Sequence, residues 1–317
     1  MSPIVGIGEL LWDVYPDGRK VAGGAPFNFA FHCHQLGHPS AIVSRVGNDD
    51  LGRELRERVR ALGLSDEYIQ TDPEHPTGTV QVALGAEGVP EYTITEDVAW
   101  DFIAWEDRLD PLVQSGRAVC FGTLAQRFGT PVPVHRFVTA FRDRRERPQP
   151  VPGLVVFDVN LRGSYFDVDR LEWGLSVCDW CKINTAEFDT LRAFFGCATP
   201  ADLIGAGPGA FAERVAIVTH GARGCELYRR WEERDGSGAP RGAVETFAVP
   251  GAPAHVVDTV GAGDAFTAAM VCLHLEGRPL REAATFAVHY AARVCEHPGG
   301  TPSIDRAEVE RAAGLES

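Results

Sequence analysis

Asp258-Thr-Val-Gly-Ala-Gly-Asp-Ala-Phe266 limits this chain more than any other stretch. Gly261, Ala262 and Gly263 are three small residues in a row, so the backbone can turn tightly there and come close to a ligand. Phe266, Ala269, Met270 and Leu273 follow at helical spacing, which predicts a helix directly behind the turn. A glycine turn running into a helix start points free N–H groups at one spot, at the positive end of the helix dipole. Such a spot binds an anion, a phosphate for example. Asp264 falls in the first turn of that helix, where the dipole favours its ionised form. Beside an anion hole a carboxylate repels a bound anion, but it is well placed to take the proton of a hydroxyl that attacks phosphorus. An isolated G-x-G-D reads first as a glycine turn with an N-terminal aspartate, and the chemical reading needs support from the rest of the chain.

With 317 residues, 44% of them hydrophobic, the chain can bury a full core, as one large α/β domain or two smaller ones. The repeated strand and helix patterns favour one domain over 1–317. A net charge of −14 argues against nucleic acid or an anionic membrane as partner. Met-Ser-Pro-Ile runs straight into a strand with no basic segment before it, and the longest apolar runs are strand-length. These features lead us to expect a cytoplasmic protein. The eight cysteines are irregularly spaced, which reads as reduced thiols. Cys178-Asp-Trp-Cys181 is the only C-x-x-C, and nothing completes a zinc set around it.

The alternation predicts a doubly wound, mostly parallel sheet flanked by helices. Ile4 to Leu11 is nearly continuously apolar, as expected for a strand buried on both faces. It should deliver Glu9, Trp12 and Asp13 to its C-terminal end, where open α/β sheets place their ligands. Asp13 is there either an acceptor for substrate hydroxyls or a turn aspartate before Pro16-Asp17-Gly18. In Val21 to Ala30, Gly23-Gly24 makes a tight turn and Pro26 suits a helix start. Asn28, in the first turn, can aim its amide at whatever the turn cradles. His32 and His34 stand two apart, cannot face one site together, and read as ordinary histidines. After the strand Ala41 to Val46, Gly47-Asn48-Asp49 sits either at a ligand site or at a capped helix start.

From Glu67 to Ile94 the pattern changes to short β segments, punctuated by Pro73, Pro76, Gly85, Gly88 and Pro90. This predicts a small separate sheet over about 67–100, to which 12–22 can add. A lid is its natural use, because a phosphoryl donor must be kept from water. Tyr92 and Trp100 read as packing residues. Arg142 to Arg147 is a basic run interleaved with two acids, a solvated helix end rather than an RNA contact. Leu154 to Arg162 reads as a buried strand, and strand alternation would put Asp158, Asn160 and Arg162 on one face. Such a trio is costly to bury unless it binds something polar. Asn184-Thr-Ala-Glu187 has the spacing of a capping box. Val215 to Thr219 runs into a turn at Gly221 and Gly224, and Glu232 to Gly242 is a polar hairpin tip.

These motifs resemble the ribokinase-like (PfkB) sugar kinases over essentially the whole chain. Asp258–Phe266 resembles the C-terminal signature of that family, and Val21–Ala30 its N-terminal signature in the fructokinase form. Gly-Glu-Leu-Leu-Trp-Asp13, Val98-Ala-Trp-Asp101 and Asp-Val-Asn-Leu-Arg162 are similar to segments of fructokinases. The resemblance implies a kinase that uses ATP and magnesium. Asp264 would be the base, Gly261, Ala262 and Gly263 the anion hole, and Arg162 a stabiliser of the transferring phosphoryl group. Asp13, Gly24 and Asn28 would hold the sugar, with Gly47-Asn48-Asp49 bordering it. Asn184, Thr219, Gly221, Gly224 and Gly263 would hold ATP, and Glu187 would hold magnesium through water. Many relatives carry a potassium site, which would fall here at Asp258 and Ser303, near the carbonyls of His297 and Gly299. Some relatives pair through the lid, so the resemblance also raises a homodimer.

Fructose, phosphorylated at its 6-hydroxyl, is the expected substrate; ribose, 2-keto-3-deoxygluconate or a nucleoside stays open, since pocket differences of this kind are worth only ~1–3 kcal/mol. A non-catalytic sugar or nucleotide sensor on the same fold is the competing class, and the intact Asp264 and glycine turn speak against it. The phosphate site has neither a Walker motif nor a protein-kinase G-x-G-x-x-G, and an unrelated Rossmann dehydrogenase is the weaker reading because no G-x-G-x-x-G follows the first strand.

Overall fold

The structure, a computed structural model, describes residues 2–84, 90–127, 132–144, 153–205, 213–234 and 240–315. Thirteen strands run in chain order among them: β1 (Ile4–Ile7), β2 (Leu11–Val14), β3 (Lys20–Gly23), β4 (Ser40–Gly47), β5 (Ile69–Asp72), β6 (Thr79–Leu84), β7 (Pro90–Ile94), β8 (Ala118–Phe121), β9 (Leu154–Asp158), β10 (Trp180–Asn184), β11 (Glu213–Thr219), β12 (Gly224–Arg234) and β13 (Pro240–Pro250). Nine of these form one sheet in the order β13-β12-β11-β10-β9-β8-β1-β4-β5, parallel except at the antiparallel pairs of β12 with β11 and β13. The tip of that hairpin, 235–239, lies outside the described residues, as do Gly85, Gly88 and Arg145 to Arg147.

Strands β1 and β8 are apolar on both faces, and β9 is so up to Phe157, because helices cover both. Ile4, Cys120, Leu154 and Val156 face α1 (Ala25–Gln35), with α8 (Ala262–Leu275), α9 (Leu280–Val294) and α10 (Arg306–Ala312) on that side. Val5, Val119, Phe121, Val155 and Phe157 face the opposite layer, where Phe137, Phe141, Leu171 and Leu191 pack. That layer holds α3 (Asp110–Ser115), α4 (Val132–Asp143), α5 (Val168–Val177), α6 (Thr185–Phe195) and α7 (Pro200–Leu203), while α2 (Asp50–Ala61) covers the β4 edge. Strand β1 lies where the order reverses, with β4 on one side and β8 on the other. Open α/β sheets bind ligands at the C-terminal ends of strands around such a point.

The small sheet has the order β3-β2-β6-β7, two antiparallel hairpins joined by a parallel pairing of β2 with β6. Two expectations need correcting. Residues 69–72 join the large sheet as its edge, paired in parallel with β4, rather than the small one. The first strand ends at Ile7, so Asp13 sits in the small sheet on β2. Among the described residues no helix is long and apolar enough to cross a membrane, and all eight cysteines are free thiols.

Candidate active site

Gly261 is the N-cap of α8 in the left-handed conformation, φ 75°. A β-carbon there would come within 2.5 Å of the Gly300 backbone, so only glycine fits the turn. Asp258 fixes the approach: its carboxylate accepts from the N–H of Val260 at 3.0 Å and of Gly299 at 2.8 Å. The N–H groups of the first turn of α8 then converge with the dipole at its mouth. Every residue of α8 from Ala265 to Leu273 is buried, so the turn stands on an immobile base.

Asp264, inside the first turn of α8, is held by the Nδ2 of Asn28 at 2.8 Å. Asn28 comes from α1, whose start is set by the Gly23-Gly24 turn; at Gly24 (φ 116°) a β-carbon would strike the Glu9 carbonyl at 2.3 Å. The two glycine motifs at opposite ends of the chain thus meet through one hydrogen bond. Burial pushes the Asp264 carboxyl up to about 6, with the charge of Asp158 adding to it, while Asn28, Lys182 and Arg162 pull it back. A base at this value is mostly ionised at neutral pH and close enough to it to take a proton readily.

Lys182 lines the site and was passed over in the sequence reading. It is buried on β10, its Nζ 3.0 Å from Asp158 Oδ1, and a β-carbon at Gly263 would lie 2.9 Å from that Nζ. Burial works against the ammonium, but Asp158, Glu187 and Asp264 outweigh it and raise its pKa. The signal was a lone lysine in an otherwise apolar strand. Asp158 is also 3.0 Å from the hydroxyl of Thr267 on α8, so it points inward beneath the helix. This corrects the expected strand face: β9 stops at Asp158, Asn160 turns to φ 43°, and Arg162 lies exposed in the loop beyond.

Two cavities open at this helix start. A polar one of about 430 Å³ is lined by Glu9, Asp13, Gly24, Asn28, Arg162, Lys182, Glu187, Gly261 and Asp264, with Leu11, Val80, Tyr92 and Ile94 forming its small-sheet wall. Strand alternation explains that wall, since Leu11 and Asp13, and Tyr92 and Ile94, share faces. Tyr92 is therefore a lining residue and not simply a packing one, whereas Trp100 is buried under the Arg127–Asp101 ion pair. An apolar cavity of about 400 Å³ is lined by Ala252, Ala254, Val256, Ala262, Phe266, Val288, Ala291, Ala292 and Cys295, together with Asn184, Thr219, Gly221, Gly224 and Gly263. Asp13, Gly24 and Asn28, expected at a sugar, line only the polar cavity, Gly221 and Gly224, expected at a nucleotide, line only the apolar one, and Asn184, Thr219 and Gly263 line both.

Asn184 and Glu187 form a reciprocal capping box, and Glu187 also accepts from the N–H of Leu161 at 3.0 Å. Asp49 caps α2 and receives Thr77, and Gly47 to Asp49 line neither cavity. Asp258 and Ser303 line neither cavity either, and Ser303 is exposed. Among the described residues no cluster of His, Cys, Asp or Glu is arranged to hold a metal by itself.

A carboxylate beside a glycine turn at a helix start, where two cavities meet, is an arrangement that suits phosphoryl transfer. Residues 15–307 match the pfkB family of carbohydrate kinases, and the chain belongs to that family. Fructokinase from Klebsiella pneumoniae is 28% identical over 275 residues, 84% of this chain and 82% of that one. An uncharacterized sugar kinase from Pyrococcus horikoshii covers 99% of both chains at 26% identity, with a TM-score of 0.79. The same protein solved with ATP gives a TM-score of 0.75 at 25% identity, over 98% of this chain and 99% of that one. Arabidopsis thaliana ribokinase, complexed with ribose and ATP, shares the fold at a TM-score of 0.76 over 99% of both chains, at 23% identity.

Because a base acts only when ionised, activity should disappear as pH falls through about 6. We expect kcat/KM for ATP, measured at saturating sugar so that the sugar-binding carboxyls are engaged, to drop about tenfold per pH unit below that point. A profile flat down to an ordinary aspartate value of about 4 would remove Asp264 from the role.

Proposed function

We propose that the protein is an ATP-dependent sugar kinase that phosphorylates D-fructose at its 6-hydroxyl. The observation that carries this reading is the junction of the two cavities, both of which include Asn184, Thr219, Thr259 and Gly263. An acceptor filling the polar cavity and a nucleotide filling the apolar one would meet at the anion hole, one residue from Asp264. The fructokinase-like segments around Asp13, Pro26 and Arg162, and the fructokinases among the relatives, support fructose as the sugar.

Asp264 takes the proton of the 6-hydroxyl as that oxygen bonds to the γ-phosphorus. The bond from phosphorus to the bridging oxygen breaks, and ADP leaves with the electron pair. The N–H groups of Gly261, Ala262 and Gly263 receive the charge growing on the transferring oxygens. Lys182 supplies a buried positive charge beneath them, and Arg162 supplies another from the loop after β9. Asp13, Gly24 and Asn28 hold the sugar, and the small sheet closes over it to exclude water. Magnesium fits at Glu187 through water: both carboxylate oxygens already accept backbone N–H bonds, and each keeps a second lone pair. When bound, the ion neutralises charge on the phosphates.

The test is ADP release coupled to NADH oxidation, with MgATP and a panel of fructose, ribose, 2-keto-3-deoxygluconate and adenosine. Turnover confined to fructose is the expected result. Turnover on another member would keep the chemistry and replace the sugar, and binding without turnover on any would favour a sensor.

A further inference from the structure

Glu9 follows β1 and is 3% exposed, yet it lines the polar cavity. Its Oε1 accepts from the N–H of Ala25 at 3.1 Å, at the start of α1, while its Oε2 is buried and has no hydrogen-bond partner. The Oδ1 of Asn28 is a second buried acceptor without a donor in the same cavity, because the Nδ2 of that amide is turned to Asp264. Ala25 and Asn28 are three apart on one helix, so the two acceptors sit by the same face of its first turn. Buried acceptors are normally satisfied, and leaving one bare is costly.

The occupant must therefore bring donors. A sugar offers several O–H groups to these two oxygens, whereas a fully ionised phosphate or carboxylate offers none. Burial pushes the Glu9 carboxyl up to about 7, against the pull of the N–H groups of Glu9 itself and Ala25. A hydroxyl donating to Oε2 favours the ionised form and would offset that burial.

Building on the sugar-kinase reading above, we propose that Glu9 is a specificity-determining residue: its free oxygen accepts a hydrogen bond from a sugar hydroxyl other than the one phosphorylated. Together with Asn28 it selects a sugar that brings hydroxyl donors to that end of the cavity. A helix-capping role alone would need only Oε1.

The test compares wild type with Glu9→Gln and Glu9→Asp, on fructose and on each of its monodeoxy analogues that keeps the 6-hydroxyl. Glutamine keeps the acceptor facing Ala25 and replaces the free oxygen by a donor; aspartate keeps the charge but withdraws it. We expect Glu9→Gln to raise the sugar KM roughly 10- to 100-fold with little change in the ATP KM. One deoxy analogue, lacking the partner hydroxyl, should bind wild type and variant equally weakly. Unchanged sugar KM in both folded variants, or the same loss on every analogue as on fructose, overturns the proposal and leaves Glu9 as a cap. If Glu9→Gln melts below the assay temperature, the Glu9→Asp analogue series decides by the same criterion. A wild type that phosphorylates no sugar of the panel instead brings down the function reading itself.

Discussion

Asp264→Asn is expected to lower kcat by ~10²–10⁴-fold or more while the sugar KM stays close to that of wild type. The amide has the same shape, can still accept from Asn28 through its oxygen, and keeps its place in the first turn of α8. What it cannot do is take a proton. The same change should stabilise the protein at alkaline pH. The Asp264 carboxyl rises from 3.8 to about 6 on folding, so the stability its protonated form contributes is complete below about 4 and is lost as pH rises through about 6. Above that, the native protein carries a buried charge at a cost of about 3 kcal/mol. Thermal melts should place the variant above wild type at pH 8 and bring the two together near pH 4. A variant retaining more than about a tenth of wild-type turnover would show that the proton goes elsewhere.

Gly261→Ala should damage turnover and fold together. Alanine at φ 75° carries a left-handed penalty of about 1–2 kcal/mol. Its β-carbon would also sit 2.5 Å from Gly300 Cα, and backbone cannot yield as a side chain can. The turn must shift, carrying the N–H groups of 261–263 away from the transferring oxygens. Losing one such donor typically costs ~10²–10³-fold in rate. We expect at least the lower figure in kcat, with a lowered melting temperature. Gly277→Ala is the control: φ is 86° but nothing lies within 4 Å of the added carbon, so it should lower the melting temperature by conformational strain alone and leave kcat unaltered. If Gly261→Ala turns over like that control, the anion hole lies elsewhere.

The large sheet was legible because its central strands are covered on both faces and therefore read as apolar runs, as at Val155 to Phe157. The two glycine motifs were legible because backbone geometry permits little else at Gly24 and Gly261. Extrapolated alternation failed at Asn160, where a positive φ rotates the chain out of the strand. Residues 69–72 were misplaced because four residues of β pattern do not say which neighbour they will pair with, a choice made by packing against β4. Lys182 was missed because its partner Asp158 is 24 residues away, and Thr267, which donates to Asp158 in turn, is 109 residues from that aspartate. The apolar cavity was invisible for a similar reason: Val288, Ala291 and Ala292 look like ordinary helix residues until β13, the 252–256 loop and α8 are folded around them.

The small-sheet wall of the polar cavity is made by Leu11, Val80, Tyr92 and Ile94, on strands of only four to six residues. The reacting groups instead hang from a helix enclosed on all sides. Mutations in that thin wall can recut the acceptor space without moving α8, so a lineage or an engineer can exchange one sugar for another in few steps. Altering the reaction itself would mean rebuilding the core.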